Sequence, residues 1–202
     1  MKAVKIKELS VLAKTRYLTL YDAMYTNKKG TEKHWSIASR KNKETLEHQY
    51  FNDTEDETDA VVIVGLHSST KSLVIIKQFR LPVNSYIYEL PAGLIDPNET
   101  IETTLKRELK EETGLNITGI INDISHNKLY LSPGMTDESI ALVYCLCDGE
   151  LSQEFLEEDE DITPMLVNKK QASEILNGNV KLDVKCFLVL SNFVQGKLDD
   201  KF

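Results

Sequence analysis

The sequence predicts an α+β fold: a mixed sheet flanked by helices and preceded by a small N-terminal β piece. Three observations carry that expectation. The first fifty or so residues read as strands separated by turns, two apolar runs at Ala60–His67 and Ser72–Phe79 have the length of buried strands, and helical periods come singly between or after strands. The acidic, turn-rich stretch Thr54–Asp59 divides the chain into an N-terminal β subdomain, 1–53, and a main domain, 54–202.

Taken in order, strands are predicted at Val4–Leu9, Tyr17–Tyr25 and Glu32–Arg40, with a turn at Asn27–Gly30. A three-stranded piece buries little by itself, so it must pack on the rest of the chain or on a second copy, and a homodimer is expected. Trp35, between His34 and Ser36 on an alternating strand, reads from its residues alone as a core or interface filler. Ser68–Lys71 joins the two apolar strands, and Tyr86–Glu89 is a short strand running into Leu90–Gly93. After the central helix come one or two strands in Ile117–Leu131, a turn at Ser132–Glu138, and strands at Ser139–Cys147 and Ile162–Val167. Helices follow at Lys169–Leu176 and Asp183–Val194, with a tail expected to fray.

Composition narrows the function. The chain has 202 residues, enough for a full core, and its net charge of −8 argues against nucleic acid or an anionic membrane as the main partner. Cys145, Cys147 and Cys186 lack C-x-x-C spacing and read as free core thiols in a reducing cytosol. The start has positive charge without an apolar core, and no apolar run approaches membrane length, so a cytoplasmic location is expected.

The chemistry concentrates in the central helix. Ile101, Leu105 and Leu109 recur at helical spacing, Thr100 suits the N-cap, and Gly114 suits a left-handed residue past the end. At about 100° per residue from Ile101, Leu105 and Leu109 lie near 40° and 80°, while Glu112 lies near 20°, Glu108 near −20° and Glu111 near −80°. The acids overlap the buried stripe, whereas Thr103, Lys106 and Lys110 already supply a solvated face. Carboxylates crowded along a buried seam repel one another, and desolvating them costs several kcal/mol each, to order of magnitude. A divalent cation answers that need, and an all-oxygen ligand set favours Mg2+, with Mn2+ as a substitute, over zinc. The bland alternative is a surface helix carrying i, i+4 ion pairs.

From Gly93 to Leu115 the residues match the pattern G-x5-E-x7-R-E-U-x-E-E-x-G-U, with U aliphatic, through Gly93, Glu99, Arg107, Glu108, Leu109, Glu111, Glu112, Gly114 and Leu115. This resembles the signature of the Nudix hydrolase family. The resemblance implies an α/β/α sandwich in which Glu108, Glu111, Glu112 and the Ala92 carbonyl hold metal, and Glu99 and Arg107 brace the loop. It also implies hydrolysis of a pyrophosphate linked to some further group.

Further segments resemble the ADP-ribose pyrophosphatases within that family. Trp35-Ser-Ile-Ala-Ser-Arg40 implies a Trp stacked on adenine and an Arg near the phosphates. Gln78-Phe79-Arg80 implies an Arg on the substrate phosphates, and Glu89 in Glu-Leu-Pro-Ala-Gly implies a substrate or metal contact. Pro133 and Gly134 lie in the loop whose proline separates ADP-ribose hydrolysing members from others. Glu158-Asp-Glu160-Asp-Ile162 resembles the loop bearing the catalytic glutamate; its Glu-x-aliphatic pattern selects Glu160 as general base, with Glu158 as fallback. The implied reaction is Mg2+-dependent cleavage of ADP-ribose to AMP and ribose 5-phosphate. The alternatives are another nucleoside-diphosphate sugar such as GDP-mannose, or a non-catalytic domain that senses ADP-ribose. The complete set of acids in the motif and the eight residues after Val194 speak against the last.

Overall fold

The structure is a computed structural model that describes residues 4–52, 54–158 and 160–201. It divides into two compact units, Met1–Asp59 with Leu129–Ile140, and Ala60–Lys128 with Ala141–Phe202. Asp53, at the expected domain boundary, Asp159, in the acidic loop, Met1–Ala3 and Phe202 lie outside the described residues.

In the first unit β1 (Lys5–Lys14), β2 (Thr19–Thr26) and β3 (Glu32–Ser39) form an antiparallel sheet in that order. The turn expected at Asn27–Gly30 is built as predicted, because the Asn27 side chain accepts from the Lys29 and Thr31 amides and Gly30 takes a left-handed φ of 84°. The sheet is followed by α1 (Lys43–Phe51), a helix that the strands-only reading of residues 1–52 lacks. The reason lies in its composition: only Leu46 is buried, so there is no apolar period to read, although Asn42 caps it by accepting from the Thr45 amide at 2.9 Å. Leu46 joins Leu9, Tyr21 and Ala23 in a small core of this unit's own.

Residues 129–140 complete that unit. The Ala38 amide donates to the Met135 carbonyl at 2.9 Å, and Ala38 bridges Thr136. Beside them Lys41 sits among three carboxylates, Asp59 at 2.7 Å, Asp137 at 3.1 Å and Asp56 at 3.4 Å.

The remaining elements are β4 (Ala60–His67), β5 (Ser72–Arg80), β6 (Ser85–Glu89), β7 (Ala92–Leu94), α2 (Ile101–Thr113), β8 (Asn116–Ile120), β9 (His126–Tyr130), β10 (Ser139–Asp148), β11 (Ile162–Val167), α3 (Lys169–Asn177) and α4 (Val184–Val194), which fall in the second unit apart from the end of β9 and the start of β10, within 129–140. The sheet runs β11-β5-β4-β10-β8, with β6 on β5, β7 on β4 and β9 on β10. Every residue of β4 is buried: Val61 and Ile63 face the core beneath α2, and the alternating Val62, Val64 and Leu66 are buried as well. α2 covers one face through Leu105 and Leu109, which pack with Val74, Leu115, Val143, Cys145 and Cys147. α3 and α4 pack on each other and reach β11, β5 and β6. The cysteines are free and buried as expected, and burial pushes their thiols up, to about 12 for Cys147 and Cys186. The tail does not fray as expected: Lys201 pairs with Asp123 at 2.7 Å and Asp199 with Lys169 at 2.6 Å. Among the described residues no helix is long and apolar enough to cross a membrane.

Candidate active site

α2 starts and stops where its residues dictate. Thr100 caps it reciprocally with Thr103, and Gly114 ends it at a φ of 77°. A side chain on Gly114 would also meet the Ser152 backbone nitrogen at 2.7 Å, so this position is closed to other residues twice over. The acids fall on the buried seam, as the helical angles required. Glu108 is 8% exposed and Glu112 3%, beside fully buried Leu105 and Leu109, whereas Glu111 lies at the margin.

Arg107 gathers this cluster. Its guanidinium grips both oxygens of Glu99, at 3.0 and 2.8 Å, and donates to Glu108 at 2.7 Å, Glu111 at 3.0 Å and the Leu94 carbonyl at 3.1 Å. The Thr104 hydroxyl adds a bond to Glu99 at 2.8 Å. Arg107 first, and Thr104 next, hold the Glu99 carboxyl down to about 2. The pair therefore ties the loop 94–99 to the helix.

The deeper acids behave in the opposite way. Burial pushes Glu112 well above the ordinary carboxylate range, and the charges of Glu108 and Glu160 push further; the Ala92 amide, donating at 3.0 Å, and Arg80 offset part of this. Burial likewise raises Glu108, with Glu111 and Glu160 adding to it against the pull of Arg107. Glu160 thus lies close enough for its charge to be felt at both. Gly93 makes room for the cluster, since a Cβ there would come within 1.8 Å of the Glu108 carboxyl carbon.

Among the described residues no three Asp, Glu, His or Cys side chains are gathered so as to grip an ion as they stand; Glu108 and Glu111 are turned to Arg107. The donor set nonetheless suits a hard cation: three carboxylates, two of them buried, with Glu108 and Glu111 sharing the one guanidinium of Arg107 and Glu112 accepting from the Ala92 amide, beside a backbone that only glycine allows to approach.

The remaining predicted residues of this unit come together too. Arg80 is bound by Glu89 through two nitrogens, at 2.7 and 2.6 Å, across the β5–β6 pair. Sequence reading selected both residues without seeing that they pair, because the register of two strands is not written in either one. It also missed Asp161, whose carbonyl accepts from the Phe79 amide at 3.1 Å and whose carboxylate accepts from the Tyr86 hydroxyl.

In the first unit Trp35 donates to the Gly134 carbonyl at 3.1 Å, and Arg40 pairs with Glu138 at 3.0 Å. Trp35, Tyr50, Tyr130, Pro133, Met135 and Asp137 line a cavity of about 260 Å³. Tyr50 and Tyr130 were not among the predicted residues; neither stands in a recognisable motif.

The NUDIX domain profile matches residues 56–181. The chain belongs to the Nudix family. It is 30% identical over 153 residues to an uncharacterized Nudix hydrolase of Schizosaccharomyces pombe, covering 74% of this chain and 67% of the relative. It is 29% identical over 159 residues to the ADP-ribose pyrophosphatase of Saccharomyces cerevisiae (75% and 62%) and 32% identical over 130 residues to that of Bacillus subtilis (62% and 66%). The matched stretches thus span roughly three fifths to two thirds of these relatives' lengths. The crystal structure of an ADP compounds hydrolase superposes with a TM-score of 0.72, covering 100% of this chain and 97% of the other at 17% identity, which establishes the shared fold.

Proposed function

We propose that the protein is a Mg2+-dependent pyrophosphatase that hydrolyses ADP-ribose to AMP and ribose 5-phosphate. The observation that carries this reading is the set of α2 acids beside the glycine loop: Arg107 binds Glu99, Glu108 and Glu111, buried Glu112 accepts from the Ala92 amide, and the charge of Glu160 is felt at Glu108 and Glu112. The similarity to two ADP-ribose pyrophosphatases supports the choice of substrate.

Glu108, Glu111, Glu112 and the Ala92 carbonyl would hold Mg2+ or, in its place, Mn2+. When bound, the ion neutralises charge on the diphosphate and lowers the pKa of a water. The chain's own groups do the rest. Glu160 takes the proton of the attacking water, because the acids of α2 are committed elsewhere and a separate carboxylate is needed. Arg80, held in place by Glu89, faces the diphosphate and offsets its charge. Glu99 and Arg107 keep the glycine loop fixed, so that the reacting centre does not drift from the base.

The first unit, taken by itself, offers a place for the base. Its aromatic cavity at Trp35, with Tyr50 and Pro133, suits stacking on a purine, and Arg40, paired with Glu138, is the cation of this unit for the phosphates. The same unit exposes Val11, Leu12, Tyr17, Leu18 and Leu20, an apolar surface that supports a homodimer formed through the N-terminal strands. The reading is that of a cytoplasmic enzyme.

The test is a hydrolysis panel of ADP-ribose, ADP-glucose, GDP-mannose, NADH and diadenosine polyphosphates with Mg2+. ADP-ribose should be cleaved fastest, with AMP released. Faster cleavage of GDP-mannose would move the substrate to another nucleotide sugar, and binding of ADP-ribose without cleavage would make the protein a sensor.

A further inference from the structure

We propose that Tyr86 is a positioning residue for catalysis: its hydroxyl latches Asp161 and so fixes the end of the acidic loop that carries Glu160. The proposal rests on the reading of Glu160 as general base. It begins from the way the loop between β10 and β11 is held. At its start the Ser152 amide donates to the Thr113 carbonyl at 2.9 Å, and Lys110 lies 4.9 Å above the Phe155 ring, so this end is tied to the last turn of α2. Its far end is Asp161, gripped from two strands: the Phe79 amide of β5 donates to its carbonyl at 3.1 Å, and the Tyr86 hydroxyl of β6 donates to its carboxylate. Between these ties Glu160 closes a small turn, its amide donating to the Glu157 carbonyl and its carboxylate accepting from the Glu157 amide, both at 3.1 Å.

Two features separate this bond from ordinary surface decoration. First, Tyr86 is itself fixed. It pairs with Phe79 across the strands, their rings meet edge to face at 5.3 Å, and Lys77 lies 5.3 Å from its ring centre. The hydroxyl is thus aimed from a rigid strand pair at a loop residue directly next to Glu160. Second, the bond is exposed, with Tyr86 43% accessible, so it adds little to global stability. What it governs is where the chain leaves the sheet just before Ile162, which pairs with Gln78 at the start of β11. A base one residue from that point follows any shift in it, and displacements of about 1 Å are enough to cost a large part of a rate.

The experiment compares Tyr86→Phe, Asp161→Ala, Asp161→Asn and the double variant Tyr86→Phe/Asp161→Ala, with Glu160→Gln alongside. Loss of one hydrogen bond to a charged group should lower kcat roughly tenfold in Tyr86→Phe, with KM within about twofold of wild type and an unchanged melting temperature. Asp161→Asn, which keeps an oxygen able to accept from the tyrosine, should retain most of the rate. The double variant should be no slower than Asp161→Ala, because both changes break the same contact. In metal-free protein the segment from Glu154 to Asp161 should exchange its amide hydrogens faster in Tyr86→Phe than in wild type. A wild-type kcat in Tyr86→Phe beside a collapsed one in Glu160→Gln would overturn the latch and leave the base in place. Wild-type turnover in Glu160→Gln would overturn the base reading, and the latch with it. Additive losses in the double variant would show that Tyr86 and Asp161 act separately, which also contradicts the proposal.

Discussion

Individual residues of α2 and of the loop before it carry opposite linkages to pH. Glu99 is held down to about 2 by Arg107, so its contribution to stability is complete above the ordinary carboxylate range and is lost as pH falls from about 4.5 toward 2. Glu112 and Glu108 are raised by burial, so in metal-free protein they favour the fold at low pH and withdraw that support as pH rises through their folded values. Glu112→Gln cannot ionise. It should therefore raise the melting temperature of EDTA-treated protein at pH 8, by about 2–4 °C for each kcal/mol of relieved strain, while nearly abolishing turnover. Calorimetry of the two proteins across pH 5–9 checks the first effect, and a rate measurement the second. Gly93→Ala tests the same site from the other side. The added methyl would sit 1.8 Å from the Glu108 carboxyl carbon, so Glu108 must move; activity should fall by at least about tenfold with the fold retained by circular dichroism. That the acids lie on the buried seam was legible from helical angles alone. That Arg107 reaches three carboxylates at once was not, because Glu99 arrives from a loop whose path only the fold defines.

Among the elements, α2 is the most fully written into the chain, with cap, apolar period and terminal glycine all agreeing. Its capping box has a measurable weight: Thr100→Ala should cost about 1 kcal/mol, a drop of roughly 2–4 °C in melting temperature, without changing the substrate profile. The buried strands β4 and β5 were legible for a related reason, since strands covered on both faces show unbroken apolar runs. α1 was not, because a helix with one buried residue leaves no period, and its place is set by Leu46 meeting Leu9 and Tyr21. β1 likewise runs on to Lys14, past the predicted Leu9, through two register shifts that interrupt its alternation. The tie between β6 and the acidic loop belongs to this scale too: Tyr86 and Asp161 stand 75 residues apart, and no local pattern joins them.

The whole molecule adds what neither residue nor element supplies. Lys41 ties Asp56 and Asp59 of one stretch to Asp137 of another within the first unit, with only 11% of its side chain exposed. Lys41→Met would leave three clustered carboxylates without their cation, and should destabilise the protein by about 3–5 kcal/mol, read as a lower midpoint in urea. The proposed homodimer should sediment at twice the chain mass at micromolar concentration, and an active monomer there would refute it. The central claim concerns chemistry, and one measurement reaches it most directly: the initial rate of AMP release from ADP-ribose as Mg2+ is titrated into metal-free protein. The account predicts no release in EDTA, a saturable rise with Mg2+, and ribose 5-phosphate formed in equal amount. Undiminished release in EDTA, or none at any Mg2+ concentration, would contradict it.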